Sequence, residues 1–180
     1  MPAISVPAGQ DPLTPQPGFN FHVSFTKPDG VTGDFAPTAD LDDEITGGFS
    51  EVTGLEATME AKAIKVGGRN YGAVQRAGPV SFGTVVLKRG IVEARHLWAW
   101  WSLFSGADGG EGTNGGWAPE SRSDVTIALI DENRSATMAW TLKNAMPVKF
   151  RAGDLNARTA EIAIEELHLV HEGLTMRPVI

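Results

Sequence analysis

The chain contains no cysteine. That absence excludes a disulfide framework, a thiolate nucleophile and any cysteine-ligated zinc or iron–sulfur centre. Long apolar runs are missing too: no stretch approaches the ~18 consecutive apolar residues of a membrane-spanning helix. Positive charge is not in surplus, since 15 basic residues stand against 22 acidic ones, a formal net charge of −7. Duplex nucleic acid usually calls for a basic face that releases counterions, so this balance argues against such a main partner. The opening Met1-Pro2-Ala3-Ile4-Ser5-Val6-Pro7 has no basic n-region and no long apolar h-region, and no signal peptide is read there.

Glycine and proline, in contrast, are plentiful, at 21 and 11 residues out of 180. A length of 180 suits one domain with a core of its own. Punctuation this frequent is that of an all-β domain with many turns. Five prolines fall within residues 1–18, which carry no apolar period and read as an extended arm. Such an arm is either a disordered tail or a segment that docks on a neighbouring subunit. The remainder, 19–180, is the folded domain.

Phe19 to Phe25 alternates apolar and polar side chains, the period of a half-buried strand. Residues 26–47, with three glycines, two prolines and the acidic run Asp40-Leu41-Asp42-Asp43-Glu44, read as a loop. A second strand is expected from Phe49 to about Val66. Within it Leu55, Ala57, Met59 and Ala61 share a packed face, while Glu56, Thr58, Glu60 and Lys62 share a wet or charged one. Gly67 to Gly72 breaks it with turn residues. Pro79 to Leu87 is a third strand. The period then changes: Ala94, Leu97, Trp98, Trp101 and Phe104 recur at helical steps, predicting a helix over 92–104. Trp100 falls off that stripe and is expected to cover a sheet edge or meet a neighbour. After a glycine-rich loop over 105–120, strands are expected at 124–131, 136–149 and 159–171, with a turn at Arg151 to Asp154. The total is about six strands and one helix.

Reactive constellations are hard to find. His168 and His171 have HxxH spacing but sit on a strand, where residues three apart face opposite sides. His22 and His96 read as ordinary structural histidines. Gly109 to Trp117 superficially matches a calcium-binding nonapeptide, yet it occurs once and has Asn114 where an aspartate is expected. No EF-hand spacing, P-loop ending or Gly-x-Ser-x-Gly elbow is present. The expectation is no catalytic residue, no metal and no cofactor. Lys62, Lys65, Arg69, Arg76, Lys88 and Arg89 could instead meet acidic surfaces on another subunit, for which Asp40 to Glu44 is a candidate.

At Gly47-Gly48-Phe49-Ser50-Glu51-Val52-Thr53-Gly54-Leu55-Glu56 the sequence resembles the tail-tube protein family of contractile bacteriophages and phage-like contractile injection systems. The resemblance continues through Gly67-Gly68-Arg69-Asn70, the strand end Leu87-Lys88-Arg89-Gly90 and the tryptophan-bearing helix Leu97-Trp98-Ala99-Trp100-Trp101. It ends on a strand pair similar to Trp140 to Phe150 and Ala160 to His171. The motifs keep one order over 19–173.

The resemblance implies a mainly β protomer, a six-stranded β-sandwich or β-barrel with one α-helix. Six protomers would join into a hexameric ring with a continuous inner β-barrel, and rings would stack into a hollow tube. Sheath and baseplate proteins would be partners, with DNA or an effector protein as cargo and no sequence-specific nucleic-acid binding. Assembly in the cytoplasm, as part of a phage tail or a released tail-like particle, follows from the same likeness. The long proline-rich arm and the 105–120 loop raise the alternative of a baseplate-proximal tube initiator or adaptor. A monomeric ligand-binding β-barrel is the alternative of another class. Three sets of residues carry these expectations. Lys62, Lys65 and Arg69, with Asp42, Asp43 and Glu44, are candidates for contact between rings. Glu56, Thr58 and Glu60 are candidates for the lumen face. Leu97, Trp98 and Trp101 are expected to pack the helix on the sheets, with Trp101 buried.

Overall fold

The computed structural model describes residues 18, 20–26, 44–92, 95–107, 121–132, 134–155, 158 and 162–178. The proline-rich arm, Asp42 and Asp43, and most of the 105–120 loop lie outside the described residues. Ten strands and one helix follow in the order β1 (Phe21–Thr26), β2 (Glu44–Gly47), β3 (Glu51–Thr53), β4 (Ala57–Ile64), β5 (Val74–Phe82), β6 (Val85–Gly90), α1 (His96–Ser105), β7 (Ser123–Ile130), β8 (Ala136–Arg151), β9 (Ile164–Val170) and β10 (Gly173–Pro178).

β8 organises the body. One edge of its first half pairs with β7; its other edge pairs first with β10 and then with β9, all antiparallel. β7 continues through β1 to β2, and β9 through β6 to β3. The result is two sheets that share β8: a first sheet of β2-β1-β7-β8-β10 and a second of β8-β9-β6-β3. They are not closed into a barrel within one chain. Val23, Phe25, Val125, Ile127 and Leu142 of the first sheet share one core with Val85, Leu87, Leu167 and Leu169 of the second. Each inward residue alternates with an outward one, as the pleat requires.

The bend in β8 has a polar clamp. Asn144 takes a positive φ of 50°, a conformation Asn tolerates better than most residues. Its N–H donates to Asp124 Oδ1 at 3.0 Å and its side-chain amide to Glu172 Oε2 at 2.8 Å. Lys143 pairs with Asp124 and Arg122 with Glu172. Burial works to raise the Asp124 carboxyl, but Lys143 and the Asn144 N–H outweigh it and hold the pKa below the usual value. Asn144 and Arg122 likewise lower that of Glu172.

The helix seals one side of the core. Leu97 and Trp100 are fully buried. Trp100 stacks on Phe25 with ring centroids 5.1 Å apart and donates its indole N–H to the Ser121 carbonyl at 2.9 Å. Trp98 and Trp101 are half-buried and meet Phe150 of β8 at 5.3 and 6.5 Å. Gly106, in the left-handed region, ends the helix by donating its N–H to Ser102 O.

Several sequence expectations are corrected. Among the described residues the strands number ten rather than six, because two expected strands are each divided, β2 falls within the expected 26–47 loop, and β10 lies beyond the last expected strand. The expected strand 49–66 is interrupted at Gly54 to Glu56; a Cβ on Gly54 would stand 2.1 Å from Thr84 O. The third strand splits at Gly83 into β5 and β6; the last shortens to β9, and β10 follows it over Gly173–Pro178, where no strand was expected. The helix is 96–105, not 92–104. Trp100, expected off the packed stripe, is as fully buried as Leu97, and Trp101 is only half-buried. The cause is composition: His96–Ser105 is apolar nearly all round, so period alone cannot choose a face.

Candidate assembly surfaces

The outstanding surface is a ribbon. β3 and β4 run antiparallel to β6 and β5 in a ladder broken at Gly54 to Glu56, from Glu51 opposite Lys88 to Ile64 opposite Val74. Only the root of this ladder, β3 with β6, belongs to the body. β4 and β5 pair solely with each other among the described residues, and β4 is exposed along its whole length. Eight extended residues project about 26 Å. A bulge interrupts the pairing between Met59 and Ala61. Gly78 belongs there: a Cβ would lie 2.4 Å from Glu60 O. Pro79, without an N–H, suits the same irregularity.

The ribbon is amphipathic. Ala57, Met59 and Ala61 share a face with Phe82, Val80 and Ala77 across the ladder. This is the face the alternation marks as packed, yet Met59 is 55% and Val80 52% exposed. In the isolated chain nothing described covers it. Thr58 and Lys62 stand on the opposite face with Ser81 and Arg76, and the Thr58 hydroxyl donates to Glu56 Oε1 at 3.1 Å. Glu56 sits at the root. Glu60 shares the polar side at the bulge.

Charge is unevenly divided. Lys62, Lys65, Arg69 and Arg76 crowd the outer ribbon, and the sequence has no acid between Glu60 and Glu93. Lys62 lies directly opposite Arg76, a like-charge pair that opposes the hairpin in isolation. Tyr71, the chain's single tyrosine, is 97% exposed beside the turn. Met59, Val80 and Tyr71 therefore join the candidates named from sequence, among which Arg76 already stood. The first half of strand 74–82, which sets Arg76 opposite Lys62, was hidden by Gly78 and Pro79. Of the proposed acidic counterparts, Glu44 opens β2 at its pairing with Thr26. Leu97, Trp98 and Trp101 are brought together against β8 and the core, away from the ribbon.

Further surfaces are sheet edges that are unpaired among the described residues. The first sheet ends on β2 at one side and on β10 at the other. The second sheet's outward face carries an alternating charge row, Glu51–Lys88–Glu166–Arg151, with Lys88 and Glu51 2.9 Å apart and Arg151 and Glu166 3.2 Å apart. Arg89 and Glu165 form a second, buried pair on the inward face, where Arg89 also lies over the Phe49 ring at 5.8 Å. His171, beside Phe82 at the ribbon root with centroids 5.1 Å apart, has its pKa lowered by burial. Among the described residues no group of three or more His, Asp or Glu could hold a metal ion. No described helix is long and apolar enough to cross a membrane.

Comparison with known proteins agrees with this architecture. A chain of the anti-feeding prophage baseplate superposes with a TM-score of 0.69 at 24% identity, covering 91% of this chain and 96% of that one. A chain of the sheath–tube complex of the PVC extracellular contractile injection system gives 0.65 at 20% identity, covering 92% and 93%. A chain of the anti-feeding prophage tube-terminating cap gives 0.67 at 17%, covering 99% and 97%. Among curated protein sequences none matches. The model of the T4-like virus tail tube protein gp19 family matches residues 17–175, nearly the whole chain. With its helix-sealed pair of sheets and projecting ribbon, the chain belongs to this family of structural tube proteins.

Proposed function

We propose that this protein is the inner-tube subunit of a contractile tail or injection system. Six copies close into a ring, rings stack, and the hollow tube conveys DNA or an effector protein. The observation that carries the reading is the ribbon. A two-stranded hairpin is at best marginally stable in water. This one also exposes an apolar face and opposes two cations, so it needs a surface from another molecule. All 22 acids of the chain lie outside residues 61–80, and a second copy supplies the complementary charge. A contact in which the ribbon of one copy meets the body of the next is heterologous and propagates as a filament.

Ring closure has its own support. The edges of β2 and β10, unpaired among the described residues, are the kind that soluble proteins cover or pair, and joining such edges around a ring gives a continuous inner barrel. The baseplate structure that resembles this chain is described as 6-fold symmetrised, and another similar chain comes from a sheath–tube complex. Sheath and baseplate proteins are the corresponding partners, with assembly in the cytoplasm before any release of the particle. On this reading Lys62, Lys65 and Arg69 engage Asp42, Asp43 and Glu44 of the neighbouring ring, and Glu56, Thr58 and Glu60 carry the wetted wall across the joint.

The alternative of a baseplate-proximal initiator or adaptor is favoured by the likeness to the baseplate chain. Negative-stain microscopy of the purified full chain separates the two. Hollow stacked rings support the main tube, isolated hexameric rings the initiator; monomers overturn both. Charge reversal at Lys65 and Arg69 should leave rings but shorten or abolish stacks, and unchanged tube length would overturn the ribbon contact.

A further inference from the structure

The outward faces of the two sheets differ in chemistry. In the first sheet, Ser24, Thr126, Thr141 and Thr175 stand in register across β1, β7, β8 and β10, forming one row of hydroxyls. The next row is His22, Ala128, Ala139 and Arg177. Only Arg177 among these eight carries a formal charge at neutral pH. The second sheet's corresponding rows are Glu51–Lys88–Glu166–Arg151 and Thr53–Val86–His168–Lys149, with five formal charges in eight positions. Beside the hydroxyl row lies Asp124, whose carboxylate is occupied by Lys143 and the Asn144 N–H.

Neither ordinary use of a protein surface accounts for the first face. A free solvent surface usually mixes in Lys, Glu, Arg and Asp at every few positions, as the second face does. A docking surface is enriched in aromatic residues, Met and Arg and depleted in Ala and Ser. A wet face of small hydroxyl and methyl groups satisfies a third requirement: it holds water and offers little that another molecule can grip.

We infer that the outward face of β1, β7, β8 and β10 is the wall of the passage, and that its passenger is a polypeptide of either net charge rather than a nucleic acid. This rests on the tube reading above. A neutral wall neither repels nor binds chains of mixed charge. It does not suit a polyanion, because Arg177 has no carboxylate partner among the described residues and would recur in every copy around each ring. Phosphates would collect there with release of counterions.

The absence of native cysteine makes the assignment directly testable. Thr141→Cys and, independently, Thr126→Cys tubes are treated with biotin-maleimide and then with streptavidin. Lys149→Cys, on the outward face of the second sheet, is the accessible control. Both threonine positions should take the small reagent but bind streptavidin only after the tubes are dissociated. Streptavidin binding to intact tubes overturns the wall assignment. Failure to form rings at all overturns the tube reading itself, so the two outcomes are distinct.

For the passenger, tubes are reassembled with fluorescent Lys-rich peptide, Glu-rich peptide or single-stranded DNA and then washed. Neither peptide should be retained. DNA should be, with retention falling at least roughly tenfold between about 50 and 200 mM salt and lost in Arg177→Gln. Free passage of DNA, or selective capture of one peptide, overturns the polypeptide assignment.

Discussion

The body and the ribbon are built from similar strands and solve opposite problems. In the body, β6, β7 and β9 alternate strictly between buried and half-buried positions, and inward Val85, Leu87, Val125, Ile127, Leu167 and Leu169 share one core. In the ribbon, β4 carries an equally regular alternation, yet all its residues are exposed. A period of two therefore establishes that a strand has two chemically different faces. It does not establish that the apolar face is covered by its own chain. The ribbon's apolar face is a demand placed on another molecule.

The comparison predicts that body substitutions act on the chain's own stability and ribbon substitutions on assembly. The largest effect belongs to Trp100→Ala. It removes a wholly buried ring stacked on Phe25 and should cost about 3–5 kcal/mol in urea unfolding. Trp101→Ala, at a half-buried site against Phe150, should cost clearly less. Equal losses would show that the helix does not face the core as described.

The buried pair is next. Glu165→Leu removes the carboxylate that faces the buried Arg89 guanidinium and should destabilise by about 3–5 kcal/mol. Adding Arg89→Met should restore much of that loss in the same unfolding experiment. A double variant as unstable as the single one would show the pair to be worth more than its apolar replacement.

The ribbon counterpart is Met59→Asp with Val80→Asp. Both sites are about half exposed, and monomer unfolding should shift by no more than about 0.5 kcal/mol each. Tube formation, followed by sedimentation and microscopy, should nevertheless fail. If the body were destabilised as well, the ribbon would not be the independent extension described.

The smallest effect concerns pH. Burial lowers the His171 pKa below its usual value of 6.5, so the unfolded chain binds the proton more readily. Stability from this site is therefore complete above the ordinary histidine range and declines as pH falls through the lowered folded value. His171→Phe should flatten the stability profile between about pH 7 and 5. An unchanged slope would place the titrating group elsewhere.

Much of the body was legible because its inward residues are long and apolar and alternate over whole strands, as in Val125-Thr126-Ile127-Ala128-Leu129. The ordered motifs from Phe49 to Trp101 located the family. The ribbon was half legible: the β4 alternation was plain, but β5 was obscured by Gly78 and Pro79, residues that usually mark a break and here serve a bulge. The helix face was illegible for the opposite reason, since a segment with tryptophan at 98, 100 and 101 presents apolar surface in every direction. The bend at Asn144 leaves no local signal, because it is held by Asp124 and Glu172, which are about 20 and 28 residues away.

By itself the sequence determined the class of the molecule. The absence of cysteine, the frequent turns, the alternating strands and the motif order define a mainly β structural protein with one helix, because these are properties of composition and short-range periodicity. Tertiary structure alone decided which apolar faces are satisfied within the chain. It placed Trp100 in the core and left Met59 and Val80 outside it, and it aligned Ser24, Thr126, Thr141 and Thr175 from four strands into one row. Burial and register depend on pairing between distant segments, and neither can be computed from the neighbours of a residue in the chain.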